Sequence, residues 1–98
     1  MLVLSNDEIV TLISRGEDLL TNGDVSSARL LLRRATEAGS AKAALALGAT
    51  FDPIVLQRLG VIGVRPDAGR ARKWYQKAAE LGSDIASQRL ARLGEAHE

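Results

Sequence analysis

KWYQKAAELGS, residues Lys73 to Ser83, is an amphipathic helical stretch that ends at a Gly-Ser pair. Earlier in the chain, residues 31–45 read LLRRATEAGSAKAAL, with the same Ala, Glu, Gly and Ser at the same relative places. Moving the sequence along itself by 43 residues superimposes the two stretches, so that Asp24 falls on Asp67, Ala28 on Ala71, Arg29 on Arg72, Ala35 on Ala78, Glu37 on Glu80, Gly39 on Gly82, Ser40 on Ser83, Ala43 on Ala86 and Leu47 on Leu90. A repeat of about 20 to 50 residues is typical of stacked helix pairs, so the sequence predicts a solenoid.

The repeated residues are of the types that begin and end helices. Asp24 and Asp67 are predicted N-caps, because an aspartate side chain there accepts a hydrogen bond from a free backbone amide. A glycine can adopt the left-handed conformation that ends a helix, and a serine after it can cap the next one. These pairs are residues 39–40 and 82–83. Such short turns predict that consecutive helices run antiparallel.

Apolar residues recur at helical spacing, and no segment shows the sustained alternation that is typical of a strand. Ser5 and Glu8 form a capping-box pattern that opens the first helix. Pro53 ends the third helix, which we expect to extend to Phe51, and a short helical turn is predicted over residues 54–59. The sequence therefore predicts an all-α fold of about six helices.

A longer motif surrounds the Trp-Tyr pair. Its pattern is Ala-x-x-x-Leu-Gly, an aromatic residue three positions on, Gly-Val-x-x-Asp, and Ala-x-x-Trp-Tyr-x-Lys-Ala-Ala-x-x-Gly, met here by Ala43, Leu47, Gly48, Phe51, Gly63, Val64, Asp67, Ala71, Trp74, Tyr75, Lys77, Ala78, Ala79 and Gly82. This motif resembles the Sel-like repeat, a relative of the tetratricopeptide repeat. The preceding unit is a degenerate copy, with Leu31 and Leu32 in place of Trp-Tyr. The resemblance implies a right-handed α/α solenoid that acts as an adaptor for protein partners.

We expect residues 1–98 to form a single domain of two and a half repeats. The degenerate repeat spans residues 5–39, the complete one residues 40–82, and a terminal half-repeat residues 83–98. The complete repeat carries an insertion at residues 52–62. Repeat arrays with such an insertion resemble C-terminal domains of larger alpha-proteobacterial proteins.

Composition narrows the classes of function. Aromatic residues make up 3% of the chain, so Ala and Leu must form most of the core, with Trp74 expected mainly inside it. A net charge of +1 argues against extensive binding to nucleic acid or membranes. The chain has no cysteine, and no apolar run approaches the roughly 20 residues that a membrane span needs. Without a signal peptide either, the protein is expected to be cytoplasmic if the chain is complete.

Nothing in the sequence favours catalysis. His97 is the only histidine and lies one residue from the end, where a general base is poorly held. The acidic pairs at residues 7–8 and 17–18 are sequence neighbours, which point in different directions on a helix. We therefore expect no enzyme, no cofactor and no metal site.

The first helix of each pair is expected to line the inner, concave face of the superhelix. If Gly16, Gly48 and Ala91 are equivalent close-packing points, side chains about one turn to either side face inward. The inward-facing side chains are then Val10, Ile13, Glu17, Leu20, Lys42, Leu45, Ala49, Ile85, Gln88 and Arg92. Of these, the predicted partner-binding residues are Val10, Ile13, Glu17, Lys42, Leu45, Ala49, Gln88 and Arg92. An apolar strip rimmed by charge suits an amphipathic peptide or helix, but the same residues could instead pad the core.

Charge is unevenly distributed along the chain. Residues 58–77 hold six basic residues and one acidic residue, whereas residues 1–24 hold five acidic residues and one basic residue. Arg70, Lys73 and Lys77 form either the solvated stripe of an amphipathic helix or a basic patch for an acidic partner or a second copy.

Two functions remain open. The first is a non-catalytic scaffold module that binds a protein or peptide through the concave face. The alternative is a structural domain of a larger bacterial protein that oligomerises or caps an array and binds no separate ligand. Ile85 and Leu93 on the last helix have no following repeat to cover them, so a homodimer is possible.

Overall fold

A computed structural model describes the backbone of residues 3–96 and the side chains of residues 3–94. His97, discussed above as a poor general base, lies outside the described residues. Within them the secondary structure is entirely helical, which confirms the predicted all-α class. The helices are α1 Asn6–Thr21, α2 Val25–Glu37, α3 Ala41–Ala49, α4 Pro53–Arg58, α5 Ala68–Glu80 and α6 Asp84–Ala96.

The helix ends form as the repeated residues predict. The Ser5 hydroxyl accepts from the Glu8 amide and the Glu8 carboxylate accepts from the Ser5 amide, which completes the capping box. Gly39 and Gly82 have φ angles of 96° and 110°, values that favour glycine. The four repeated caps each accept from the amide three residues on, at Asp24–Ser27, Ser40–Ala43, Asp67–Arg70 and Ser83–Ala86.

Each long helix packs on the next along the chain, as a solenoid requires. Helix α1 packs on α2, α2 on α3, α3 on α5, and α5 on α6, while α4 stands outside this series. The first repeat is therefore the pair α1 and α2, the second is the pair α3 and α5, and α6 begins a third. No helix within residues 3–96 is long and apolar enough to cross a bilayer.

Alanine is the commonest residue of the core, and it recurs at the positions where the repeats are identical. The fully buried alanines include Ala28, Ala35, Ala43, Ala71, Ala78 and Ala86. Tyr75 is the largest fully buried side chain, and Leu32 occupies the equivalent place in the first repeat. Alanine between helices allows their backbones to approach, so this core is tight although it holds few rings.

Two glycines set the distance between the helices of each pair. A Cβ added at Gly16 would lie 2.7 Å from Leu32 Cγ, and one at Gly48 would lie 2.5 Å from Tyr75 Cδ1. Both distances are too short for carbon atoms, so each glycine lets the large residue of the next helix fit against its backbone. Gly16 and Gly48 are therefore close-packing points, as predicted.

Several sequence predictions need correction. Ala91 is exposed and is not a third close-packing point, because no described helix packs on that side of α6. Leu93 is fully buried against the core rather than uncovered. Trp74 is only half-buried at the edge of the core. Helix α3 ends at Ala49 instead of Phe51, because the amides of Phe51 and Asp52 donate to carbonyls three residues back instead of four.

We predict that Gly48→Ala destabilises the protein by about 1–3 kcal/mol, because the new methyl group would overlap the Tyr75 ring. Gly94→Ala is the matched control, as a Cβ there has no heavy atom within 4 Å. The control should be neutral or slightly stabilising, since alanine is the better helix former. Urea unfolding followed by circular dichroism measures both variants. Equal stability of the two would contradict the packing of α3 on α5.

Candidate functional site

A groove of about 630 Å³ lies between the first helices of the repeats and the inserted helix α4. Helices α1, α3 and α6 contribute one wall each, and the insertion closes the remaining side. The residues that line it are Glu17, Leu20, Thr21, Ala41, Lys42, Leu45, Ala46, Ala49, Val55, Arg58, Leu59, Ser83, Asp84, Ile85 and Arg89.

The floor of the groove is apolar and partly open to solvent. Leu45 and Val55 are half-buried, whereas Leu59 is 40% exposed and Ile85 is 51% exposed. These four side chains come from α3, from α4 and the residue that follows it, and from α6, so the apolar surface crosses three parts of the chain. Exposed apolar surface that is continuous across elements is typical of a contact site.

Charged side chains surround this floor. Lys42, Arg58 and Arg89 are basic, while Glu17 and Asp84 are acidic. The groove therefore offers hydrophobic contact in its floor and both signs of charge around it. Its lining contains neither a histidine nor a cysteine, and no group of three or more metal-binding side chains occurs within the described residues.

The insertion is held in place at both ends. The Asp52 carboxylate accepts from the Ile54 amide at 2.8 Å and so caps α4, which begins at Pro53. Leu56 is 4% exposed and anchors α4 in the core. At the base, the Asp67 amide donates to the Phe51 carbonyl at 2.9 Å. These contacts fix the wall that Val55, Arg58 and Leu59 supply.

A buried polar pair connects the groove to the core. The Tyr75 hydroxyl donates to Asp52 Oδ2 at 2.7 Å, and both residues are buried. The Arg89 guanidinium, which lines the groove, lies 5.7 Å from the centre of the Tyr75 ring. Burial, together with donation to the Asp52 carboxylate, raises the pKa of Tyr75 well above its ordinary value, although Arg89 acts in the opposite direction. The phenol therefore stays protonated and keeps α5 joined to the start of α4.

The structure brings only some of the predicted partner-binding residues together. Glu17, Lys42, Leu45 and Ala49 line the groove, as do Leu20 and Ile85. The others lie elsewhere: Val10 is 64% exposed outside the groove, Ile13 is 5% exposed, and Gln88 and Arg92 are exposed outside it.

Two corrections explain this division. Ile13 belongs to the core cluster and cannot reach a partner, because the stripe of α1 that contains Gly16 faces α2. On α6 the groove is lined by Ile85 and Arg89, four residues apart, instead of Gln88 and Arg92. The predicted register of α6 places Ala91 at a close contact, but Ala91 is exposed.

Sequence reasoning missed the residues of the insertion and Arg89. Val55, Arg58 and Leu59 form a whole side of the groove. The available signal was the insertion itself, since an extra segment in one repeat must lie on a surface. Its amphipathic pattern, with Leu56 inward and Arg58 outward, becomes meaningful only once its neighbours are known.

A second surface lies on α2 and α5, two helices that contribute nothing to the groove lining. The predicted basic patch of Arg70, Lys73 and Lys77 is exposed there, and Arg29 and Arg33 of α2 add to it. We call these five residues the basic strip. Arg29 Nη2 also donates to the Thr50 carbonyl at 2.7 Å, and its guanidinium lies 3.9 Å from the centre of the Phe51 ring.

Comparison with protein families finds two repeats, and each one contains a pair of packed helices. Residues 13–40 and 41–83 each match the family model for the Sel1 repeat. The first match covers most of α1 and all of α2, and the second runs from α3 through α5 and includes the insertion. Comparisons with curated proteins and with solved structures gave no significant match.

We predict that Tyr75 titrates well above its ordinary pKa of about 10 in the native protein and near that value in denaturant. It is the only tyrosine, so the near-ultraviolet absorbance of tyrosinate reports on it alone. In Asp52→Asn, the titration should shift downward but stay elevated, because burial is the larger cause.

The raised pKa of Tyr75 makes the stability of the folded protein depend on pH. The stabilisation from neutral Tyr75 is fully present below about pH 10, and it is lost as the pH rises through the native pKa. Tyr75→Phe has no phenol to ionise, so its free energy of unfolding should fall less at alkaline pH than that of the wild type. An ordinary titration midpoint in the native protein would contradict the buried pair.

Proposed function

This chain belongs to the Sel1 repeat family, and we propose that it is a non-catalytic module that binds a protein or peptide partner in the groove. Repeats of this family generally mediate protein–protein interactions. The observation that carries the proposal is the apolar floor, exposed at Leu59 and Ile85 and surrounded by charged side chains.

The chemistry of the groove defines the partner. Its floor would take one or more apolar side chains from an amphipathic segment, as in other complexes where a helix or strand lies in a groove. Lys42, Arg58 and Arg89 would pair with acidic residues beside that apolar side, and Glu17 with a basic one. Since the Tyr75–Asp52 bond fixes the start of α4 and Leu56 anchors that helix in the core, the floor is formed before the partner arrives. A preformed site loses little conformational entropy on binding.

The experiment uses a peptide selected from a displayed library on the folded domain, with its Kd then measured by fluorescence anisotropy. Ile85→Asp should weaken binding by about tenfold or more, because a carboxylate would replace apolar surface in the floor. Folding should not suffer, as Ile85 is exposed and an acid is favourable in the first turn of a helix.

Leu30→Asp is the matched control, since Leu30 is 72% exposed and lies outside the groove lining. It should leave the Kd unchanged. The groove would be excluded as the binding site if both variants bound the selected peptide like the wild type, or if the library yielded no peptide.

A second candidate is a structural role in a larger bacterial protein, in which the domain joins copies or caps a repeat array without a separate ligand. The 51% exposure of Ile85 on the last described helix favours it.

Light scattering over a hundredfold range of concentration separates the two roles. A constant mass of 10.5 kDa favours the groove as a site for another protein. A dimer that Ile85→Asp dissociates favours the structural role, because the apolar floor would then contact a second copy.

A further inference from the structure

We propose that the basic strip is a second interaction surface, separate from the groove, that binds a short acidic segment of a partner protein. The strip consists of Arg29 and Arg33 on α2 and of Arg70, Lys73 and Lys77 on α5. Neither helix lines the groove, so the two surfaces can be occupied independently.

The first part of the strip is a pair of arginines at one aromatic ring. The guanidinium carbons of Arg29 and Arg70 lie 3.9 Å and 5.7 Å from the centre of the Phe51 ring. Attraction to the ring holds both groups in place, and the hydrogen bond from Arg29 to the Thr50 carbonyl fixes one of them further. The arginines belong to different repeats, so the packing of α2 and α5 around α3 brings them together.

The second part repeats this arrangement one helical turn further on. The Arg33 guanidinium and the Lys73 ammonium lie 5.8 Å and 4.9 Å from the centre of the Trp74 ring. Lys77 follows Lys73 by one turn and borders the same hollow beside Trp74. Four of the five cations thus lie at two aromatic rings, and Lys77 extends the strip by one turn of α5.

Glu80 borders the hollow beside Lys73 and Lys77, but it forms no ion pair with either. The single ion pair within the described residues joins Arg70 Nε to Asp67 Oδ2 at 3.5 Å, and Asp67 is already engaged as the N-cap of α5. Burial lowers the pKa of Arg29, and repulsion from Arg70 lowers it further. Like charges this close favour an anion that can bridge them.

The dimensions suit a short run of carboxylates. Arg70 and Lys77 are seven residues apart on one helix, which corresponds to about 10 Å along its axis. Three residues of an extended chain span a similar distance, at about 3.3 Å each. An arginine guanidinium can donate two parallel hydrogen bonds to one carboxylate. A run of three or four Asp or Glu residues would therefore contact the cations of both α2 and α5.

The aromatic residues argue against nucleic acid as the ligand. Phe51 is buried, and Trp74 is half-buried with a cation on its ring. A single-stranded nucleic acid would need free ring faces on which to stack its bases. The strip offers ion pairing without stacking, which is the chemistry of an acidic peptide.

The test measures the anisotropy of fluorescein-labelled hexaglutamate on the full chain at low and moderate salt. The wild type should bind, with affinity that falls as salt rises. The double variant Arg33→Gln/Lys73→Gln should bind about tenfold more weakly, since it removes two exposed cations and leaves the core intact.

The control is Arg15→Gln/Arg92→Gln, which removes the same charge from exposed positions outside the strip and should change the affinity by less than about twofold. Ile85→Asp should also retain hexaglutamate binding, which separates this proposal from that for the groove. Three results would overturn it: no binding by the wild type at low salt, equal losses in the two double variants, or tighter binding of a single-stranded oligonucleotide of equal charge.

Discussion

The packing of the Tyr75 ring on the backbone of Gly48 is the contact on which the rest of the structure depends. A methyl group at Gly48 would have no room, so α5 lies as close to α3 as a ring on a bare backbone permits. From that position the Tyr75 hydroxyl reaches Asp52 and fixes the start of α4, while Arg89 of α6 lies over the ring. One side chain of α5 thus contacts or positions three other helices. The first repeat has Leu32 on Gly16 instead, which packs two helices but has no hydroxyl with which to hold an insertion.

The two surfaces differ in chemistry because they lie on different helices of each repeat. First helices and the insertion supply the groove, where apolar area dominates and affinity should depend weakly on salt. Second helices supply the basic strip, where charge dominates and affinity should fall steeply with salt. Arg29 belongs to the strip and also holds the turn after α3 through the Thr50 carbonyl, so strip and fold share a residue. Arg72, its counterpart one repeat later, is exposed.

Local features could be predicted from the sequence, and contacts between distant residues could not. The caps at Asp24, Ser40, Asp67 and Ser83 depend on residues three positions apart, and all four form as predicted. The 43-residue register also identifies the buried alanines. By contrast, the Tyr75–Asp52 and Arg29–Thr50 hydrogen bonds join residues 23 and 21 positions apart. Helical periodicity shows which residues share a face but not which neighbour covers that face. It therefore leaves open whether Ile13 faces a partner or packs in the core, where the structure places it.

The bond from the Asp67 amide to the Phe51 carbonyl has a consequence for how such a chain can diversify. It closes the loop of residues 52–66, which contains the insertion, so the chain leaves and re-enters the helical stack at one point. Because the entropy of closing a loop grows slowly with length, this segment can lengthen or shorten at little cost, provided that Asp52 and Leu56 still hold it to the core. Its side chains form one side of the groove. Substitutions at the exposed positions of this one loop can therefore change what the groove recognises, while the residues of the repeat stay the same.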